Sequence, residues 1–472
     1  TLTLSGDATT PAGANDMKAK ITGSGNLAID ATGTIILANA NNDYSGNTSV
    51  NTGTLQLGTD HALGNTSLLT IADGASTDIN GKTQTVDSLV GAGSLNVNGG
   101  NLTVSNGGYF SGVMSGNAGA LTLAGGDLIL SGANTFTGTT TQTSGLLQIG
   151  SGGTSGSYAG NIVAGGTVAF NRSDSSEYGG VISGDGNLVK SSTGTLTLTG
   201  NNTYGGGTQI NAGTLAVGNG GTSGSIAGDV TNNGKLAFNR GDDITFGGVI
   251  TGSGSLDKSG NGKLTLTAEN AYAGTTVVNN GTLALLQENA AGTGTISLAD
   301  TTTLQLGFNN GVFDNSIFGF AGSTVSVLGS NITLGVSNPV FSGTWNVTGS
   351  ANISTPGNLG NGSVSLAGDL NLNAQAGNYA FNNALSGAGD LNVTMASGSD
   401  VFSFSNAANN GFTGTLSLGS GRFELSGANT PVLANASLQL NNGNVTTVGD
   451  GEQAIGNLNL NGGSLAWDGF TT

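Results

Sequence analysis

GTLTLTGNNTYGGGTQINAGTLAVG, starting at Gly194, and GKLTLTAENAYAGTTVVNNGTLAL, starting at Gly262, are one segment written twice, the second copy offset from the first by 262 − 194 = 68. In both, Leu and Val alternate with Thr and Ala, which is the period of a strand with one buried face. Gly- and Asn-rich corners break the alternation, and these residues tolerate the positive φ that tight turns demand. Working outward, Phe136, Tyr204 and Tyr272 keep the same interval, and each is followed eleven places later by Leu147, Leu215 or Leu283. A fourth copy centres on Tyr44 and Leu55. GTSGSYAG at Gly153 returns as GTSGSIAG at Gly221, and AFNRSD at Ala169 returns as AFNRGD at Ala237.

A strict period without insertion marks a structural unit. Divided by three, it gives coils of about 23 residues, within the range of stacked solenoid repeats. The chain is therefore expected to be all-β, a right-handed parallel β-helix of about twenty coils and on the order of 100 Å long. Leu196, Leu198, Leu215, Leu264, Leu266 and Leu283 should face inward. Asn134, Asn202 and Asn270 should stack as a corner ladder of amides. Phe170 with Phe238, and Tyr178 with Phe246, should hold equivalent places three coils apart. The readable repeat occupies residues 1–290. Residues 291–472 are expected to continue the helix in a divergent, Phe-richer form, with Phe308, Phe313, Phe318 and Phe320 among the added aromatics.

Composition agrees. A chain that is 36% hydrophobic and only 8% charged lacks the high charge and low hydrophobicity of a disordered one. The absence of Cys removes disulfides, zinc–thiolate sites and a thiol nucleophile. A net charge of -17 argues against nucleic acid and anionic membranes as partners. The opening TLTLSG reads as the interior of a repeat, so the chain is expected to be a piece of a longer protein.

The string GDGNLVK at Gly184 followed by residues 194–218, and GSGSLDK at Gly252 followed by residues 262–285, resemble the passenger-associated repeat of autotransporters, the type V secreted proteins of Gram-negative bacteria. The copies near Tyr44 and Phe136 are degenerate. The resemblance is strong over about residues 119–290 and weaker elsewhere. It implies export through an outer-membrane translocator barrel, which this chain does not contain, and display at the cell surface or secretion.

Candidate chemistry is sparse. Arg172, Asp174 and Glu177 form the only dense mixed cluster, and Arg240, Asp242 and Asp243 are its repeat partner. Such exposed ion pairs at corner loops contribute little to stability. Arg240, Gly241 and Asp242 also spell RGD, a tripeptide resembling integrin-binding motifs, where the first copy has Arg172, Ser173 and Asp174. These loops are the candidate ligand site. Parallel β-helices also carry polysaccharide lyases and glycosidases, but these need convergent carboxylates or a carboxylate, Lys and Arg set. His61, the only histidine, sits in a turn-like GTDHALGN. No catalytic residue, cofactor or metal ligand is expected. The reading is a non-enzymatic surface shaft acting in adhesion, autoaggregation or biofilm formation, its partners a copy on a neighbouring cell or a host matrix protein or glycan. The alternatives are a passive spacer and a carbohydrate-active enzyme.

Overall fold

The computed structural model describes residues 1–7, 16–404, 411–425, 433–441, 445–448, 455–462 and 464–467. The described residues stack as parallel β-solenoid turns, about 21 in all. Among the described residues there is no α-helix, and the one helical element is a single 3-10 turn at Pro356–Leu359. Two compact units, Thr1–Ala237 and Phe238–Thr472, divide the chain.

In the first unit three short strands make each turn. One sheet stacks Asp127–Leu130, Leu146–Ile149, Thr167–Phe170, Asn187–Lys190 and Thr208–Ile210 in parallel. A second stacks Ser176–Tyr178, Thr195–Leu198 and Thr214–Val217. A third runs from Thr83–Val86 through Asn101–Val104, Ala120–Leu123, Thr139–Gln142 and Ile162–Ala164 to Ile182–Ser183. The second unit is built the same way, for example Lys263–Leu266, Thr282–Leu285, Thr303–Leu306 and Thr324–Val327 in one sheet. Alternation decides the burial. Leu196, Leu198 and Leu215 in the first unit, and Leu264, Leu266 and Leu283 in the second, are fully buried as expected, each contributing about 1.5–3 kcal/mol of hydrophobic stabilisation.

The turn is shorter than a three-way division predicts. Leu128 pairs with Leu147, Leu147 with Val168, Val168 with Leu188 and Leu188 with Thr208, so one turn advances the register by about a score of positions, at the short end of the solenoid range. Three turns carry Leu147 only to Thr208. Its repeat partner Leu215 lies seven places further on, in the neighbouring sheet and in register with Leu196. The repeat unit is thus three turns and a third. Because the three faces of a turn are locally alike, the sequence repeats on the strand-and-corner module and not on the face.

This corrects two expectations. The aromatic pairs retain their local geometry, with Phe170–Tyr178 centroids 5.2 Å apart and Phe238–Phe246 5.5 Å apart, but one repeat interval is not three whole coils. The amides of Asn134, Asn202 and Asn270 likewise do not stack on one another. Each bridges adjacent turns instead: Asn202 Oδ1 accepts the Ile182 N–H (2.8 Å), and its Nδ2 donates to the carbonyls of Gly200 (3.0 Å) and Ser225 (2.8 Å). Asn134 repeats the arrangement with Met114, Gly132 and Ser157. In the second unit Asn270 takes the Ile250 N–H and gives to Ala290, and Asn338, one repeat interval further on, takes the Ile317 N–H and gives to Asn358. The Asn bridge therefore persists where the sequence repeat fades.

Corners are fixed by backbone approach. Gly53, Gly145, Gly213 and Gly281 stand two places before the strand leucine in all four copies, with φ of 73°, 78°, 68° and 68°, a region that other L residues enter only with strain.

Candidate functional site

The Arg172 loop follows the strand Thr167–Phe170. Arg172 folds back on its own turn: Nε and Nη2 donate to the two carboxylate oxygens of Asp174 at 3.0 and 2.7 Å, and Nη1 donates to the Gly156 carbonyl at 2.6 Å. In the second unit Arg240 holds Asp242 in the same bidentate way, at 2.9 and 2.8 Å. The expectation of exposed pairs holds for the carboxylates, 37% and 38% exposed, and not for the arginine side chains, which are 15% and 9% exposed. Guanidinium hydrogen bonds hold both Asp174 and Asp242 below the usual carboxylate range. The bidentate pair fixes each guanidinium against the carboxylate two residues later. Of the RGD triplet, Arg240 is turned inward onto Asp242, with Gly241 between them.

Glu177 stays exposed beside this loop and lines a cavity of about 190 Å³ with Ser157, Tyr158, Phe170 and Arg172. Its carboxylate has one long contact, accepting from the Thr199 hydroxyl at 3.5 Å. Asp243 accepts the Lys263 N–H at 2.8 Å. His61 is exposed in a turn at φ 55°. The structure brings Arg and Asp together within each loop. Glu177 lines the same cavity as Arg172 but forms no ion pair with it, and no group of three or more His, Asp or Glu suited to a metal occurs among the described residues.

Two features escaped the sequence reading. Lys190 and Lys258, the basic residues of GNLVK and GSLDK, point into the core at 2% and 1% exposure. Lys190 Nζ donates to the carbonyls of Ser192 and Ala212. Lys258 Nζ donates to those of Gly260 and Asn280. Burial lowers both pKa values, that of Lys258 to about 8 with the Asp243 charge opposing the shift. Strand parity could have found them, since each stands two places after an inward Leu.

The second is an outward ladder of amides in the second unit. Asn331 donates to Asn310 (3.0 Å), Asn352 to Asn331 (2.7 Å), Asn371 to Asn352 (3.0 Å) and Asn392 to Asn371 (3.0 Å). Its signal was the string Gly-Asp-Leu-Asn, which stands at residues 368–371 and again one turn later at 389–392.

These features define a class: a parallel β-solenoid whose turns carry a transferable strand-and-corner repeat, and whose Arg–Asp dyads and buried lysines are bonded within the scaffold. The passenger-associated-transport-repeat model matches residues 32–57, 117–149, 188–217 and 256–285, so the chain carries four copies of the repeat found in autotransporter passenger domains. It is 46% identical over 103 residues to the uncharacterized lipoprotein YdeK of Escherichia coli K12, covering 21% of this chain and 8% of that protein. Over 111 residues it is 40% identical to the uncharacterized protein YuaQ of the same organism, covering 23% and 8%. It is 39% identical over 98 residues to the adhesin BmaC autotransporter of Brucella suis, covering 20% and 3%. The chain thus matches only a small part of the length of these relatives. No solved structure matches it.

Proposed function

We propose that this chain is part of the non-enzymatic, surface-displayed shaft of a Gram-negative autotransporter, acting in adhesion or aggregation through many weak polar contacts. The observation that carries the reading is the outward amide ladder, five side chains long and uncharged, set against charged dyads that are closed on themselves. Each exposed hydrogen bond is worth about 1 kcal/mol net, so one contact holds nothing and a row of them does. The similarity to a protein named as an adhesin supports the same direction. Displayed copies on neighbouring cells, or a host matrix protein or glycan, are the partners this reading requires.

Beads coated with the purified chain test it. They are expected to aggregate or to be retained on matrix-coated surfaces at physiological salt, and the substitutions Asp174→Asn and Asp242→Asn should change this little. Beads that stay dispersed and unretained would assign the chain a spacer role. Loss of binding from either single substitution would move the site to the corner loops.

A further inference from the structure

We infer that the face of the second unit carrying Asn352, Asn371 and Asn392 binds a neutral, extended polyhydroxylated polymer, a glycan chain laid along the stacking direction of the turns. The inference deepens the adhesion reading and rests on it for its biological setting, but not for its chemistry.

A primary amide has two N–H donors and two acceptor lone pairs. Within the ladder Asn331, Asn352 and Asn371 each spend one of each on their neighbours, which fixes the amide planes and leaves one donor and one acceptor per rung. Beside this column runs a second. Ser350 is in register with Asp369, and Asp390 follows one turn later. In both Gly-Asp-Leu-Asn strings the Leu is fully buried while Asp and Asn face out. The Asp369 carboxylate has no partner among the described residues, and that of Asp390 accepts the Thr415 N–H at 3.1 Å.

The surface is therefore a lattice of amide donors and carboxylate acceptors, spaced about 4.8 Å between turns and about 6.5 Å along each strand. Hydroxyl groups, each donor and acceptor at once, fit such a lattice. The rung spacing is close to the length of one sugar ring in an extended chain, so successive rings meet successive turns. Charge selects further. No Lys or Arg occurs between Lys263 and Arg422, so a polyanion meets only Asp369 and Asp390. Two copies of this face set against each other would oppose carboxylate to carboxylate, which disfavours a self-complementary pair. The ladder strands are paired on both sides, which removes strand addition as the mode of binding.

The test uses the whole chain and cellohexaose, with cellobiose and a heparin hexasaccharide as comparison probes, read by calorimetry. Expected are binding of cellohexaose at least about tenfold tighter than cellobiose, because rungs add, and no binding of heparin. Asn371→Ala with Asn392→Ala should weaken cellohexaose about tenfold or more at unchanged circular dichroism and thermal midpoint, as should Asp369→Ala with Asp390→Ala. Thr197→Ala, on an outward position of the first unit, should leave it unchanged. Absence of cellohexaose binding, a preference for heparin, or indifference to both double substitutions overturns the inference. Concentration-dependent self-association removed by the same substitutions, without glycan binding, reassigns the face to a second copy. Bead adhesion that persists without glycan binding sinks this inference alone, whereas cellohexaose binding by a chain whose beads never adhere sinks the adhesion reading alone.

Discussion

At the residue scale, the repeat aromatic shows how a polar tip is accommodated in a dry core. The hydroxyls of Tyr44, Tyr204 and Tyr272 each meet the Thr four places later, at 2.7, 2.7 and 2.6 Å. In the remaining copy the aromatic is Phe136, which has no hydroxyl, and Thr140 is instead bonded by Tyr158 from the following turn. Where Tyr204 restores the usual pair, the position equivalent to Tyr158 is Ile226. The two positions have exchanged one hydroxyl. Tyr158→Phe should therefore orphan the buried Thr140 hydroxyl and cost about 1–3 kcal/mol. Adding Phe136→Tyr to that variant should recover most of the loss, while the same change in the parent adds bulk without need. A double-mutant cycle on the urea midpoint measures this, and additive effects would contradict the exchange.

At the element scale, the Asn bridge does what strand hydrogen bonds cannot do at a corner: it ties the backbone of one turn to those before and after it. Asn202→Ala would strand the buried Ile182 N–H, at a cost of about 1–3 kcal/mol, and would leave the part-buried Ser225 carbonyl without its amide donor. The expected result is faster amide exchange at Ile182 and in the adjacent turns, with distant turns unchanged, as in a nearest-neighbour stack; uniform exchange along the chain would remove the bridge from this role. The bridge also marks how far sequence could be read. Alternation at Leu196, Leu198, Leu264 and Leu266 gave strand, parity and inward face directly, because burial on one side of a strand leaves a period of two. Turn length was not legible: the repeat interval measures recurrence of a module, and a unit of three and a third turns looks like three until Leu147 is traced through its register to Thr208. The outward ladder was hidden for a related reason. The steps from Asn331 to Asn352 and from Asn352 to Asn371 are unequal, 21 and then 19, and such a spacing carries no meaning before the turn is known. For the Arg172 and Arg240 loops the residues were legible, but their closure onto Asp174 and Asp242 depends on side-chain direction.

At the scale of the whole molecule, each unit buries a lysine, Lys190 in the first and Lys258 in the second, and the phenols of Tyr44, Tyr158, Tyr178, Tyr204 and Tyr272 are buried as well. Their titrations oppose each other in pH. Lys258 falls from an ordinary 10.5 to about 8 in the folded chain, and Lys190 is lowered too. Between about pH 8 and 10.5 the unfolded chain then holds lysine protons that the folded chain has released, so stability rises with pH across that window. The five tyrosines are shifted upward, chiefly by burial. Above about pH 10 the unfolded chain ionises its phenols while the folded chain keeps them neutral, so stability falls again. These two sets of groups therefore place the stability maximum between about pH 9 and 10, where the lysine gain and the tyrosine loss balance. Lys258→Met isolates the rising limb: between pH 8 and 10 its slope should be shallower than the parent's by up to one proton, about 1.4 kcal/mol per pH unit. Matched urea titrations at pH 7, 8, 9 and 10 make the comparison, and identical slopes in the two proteins would show that the buried ammonium keeps its proton throughout.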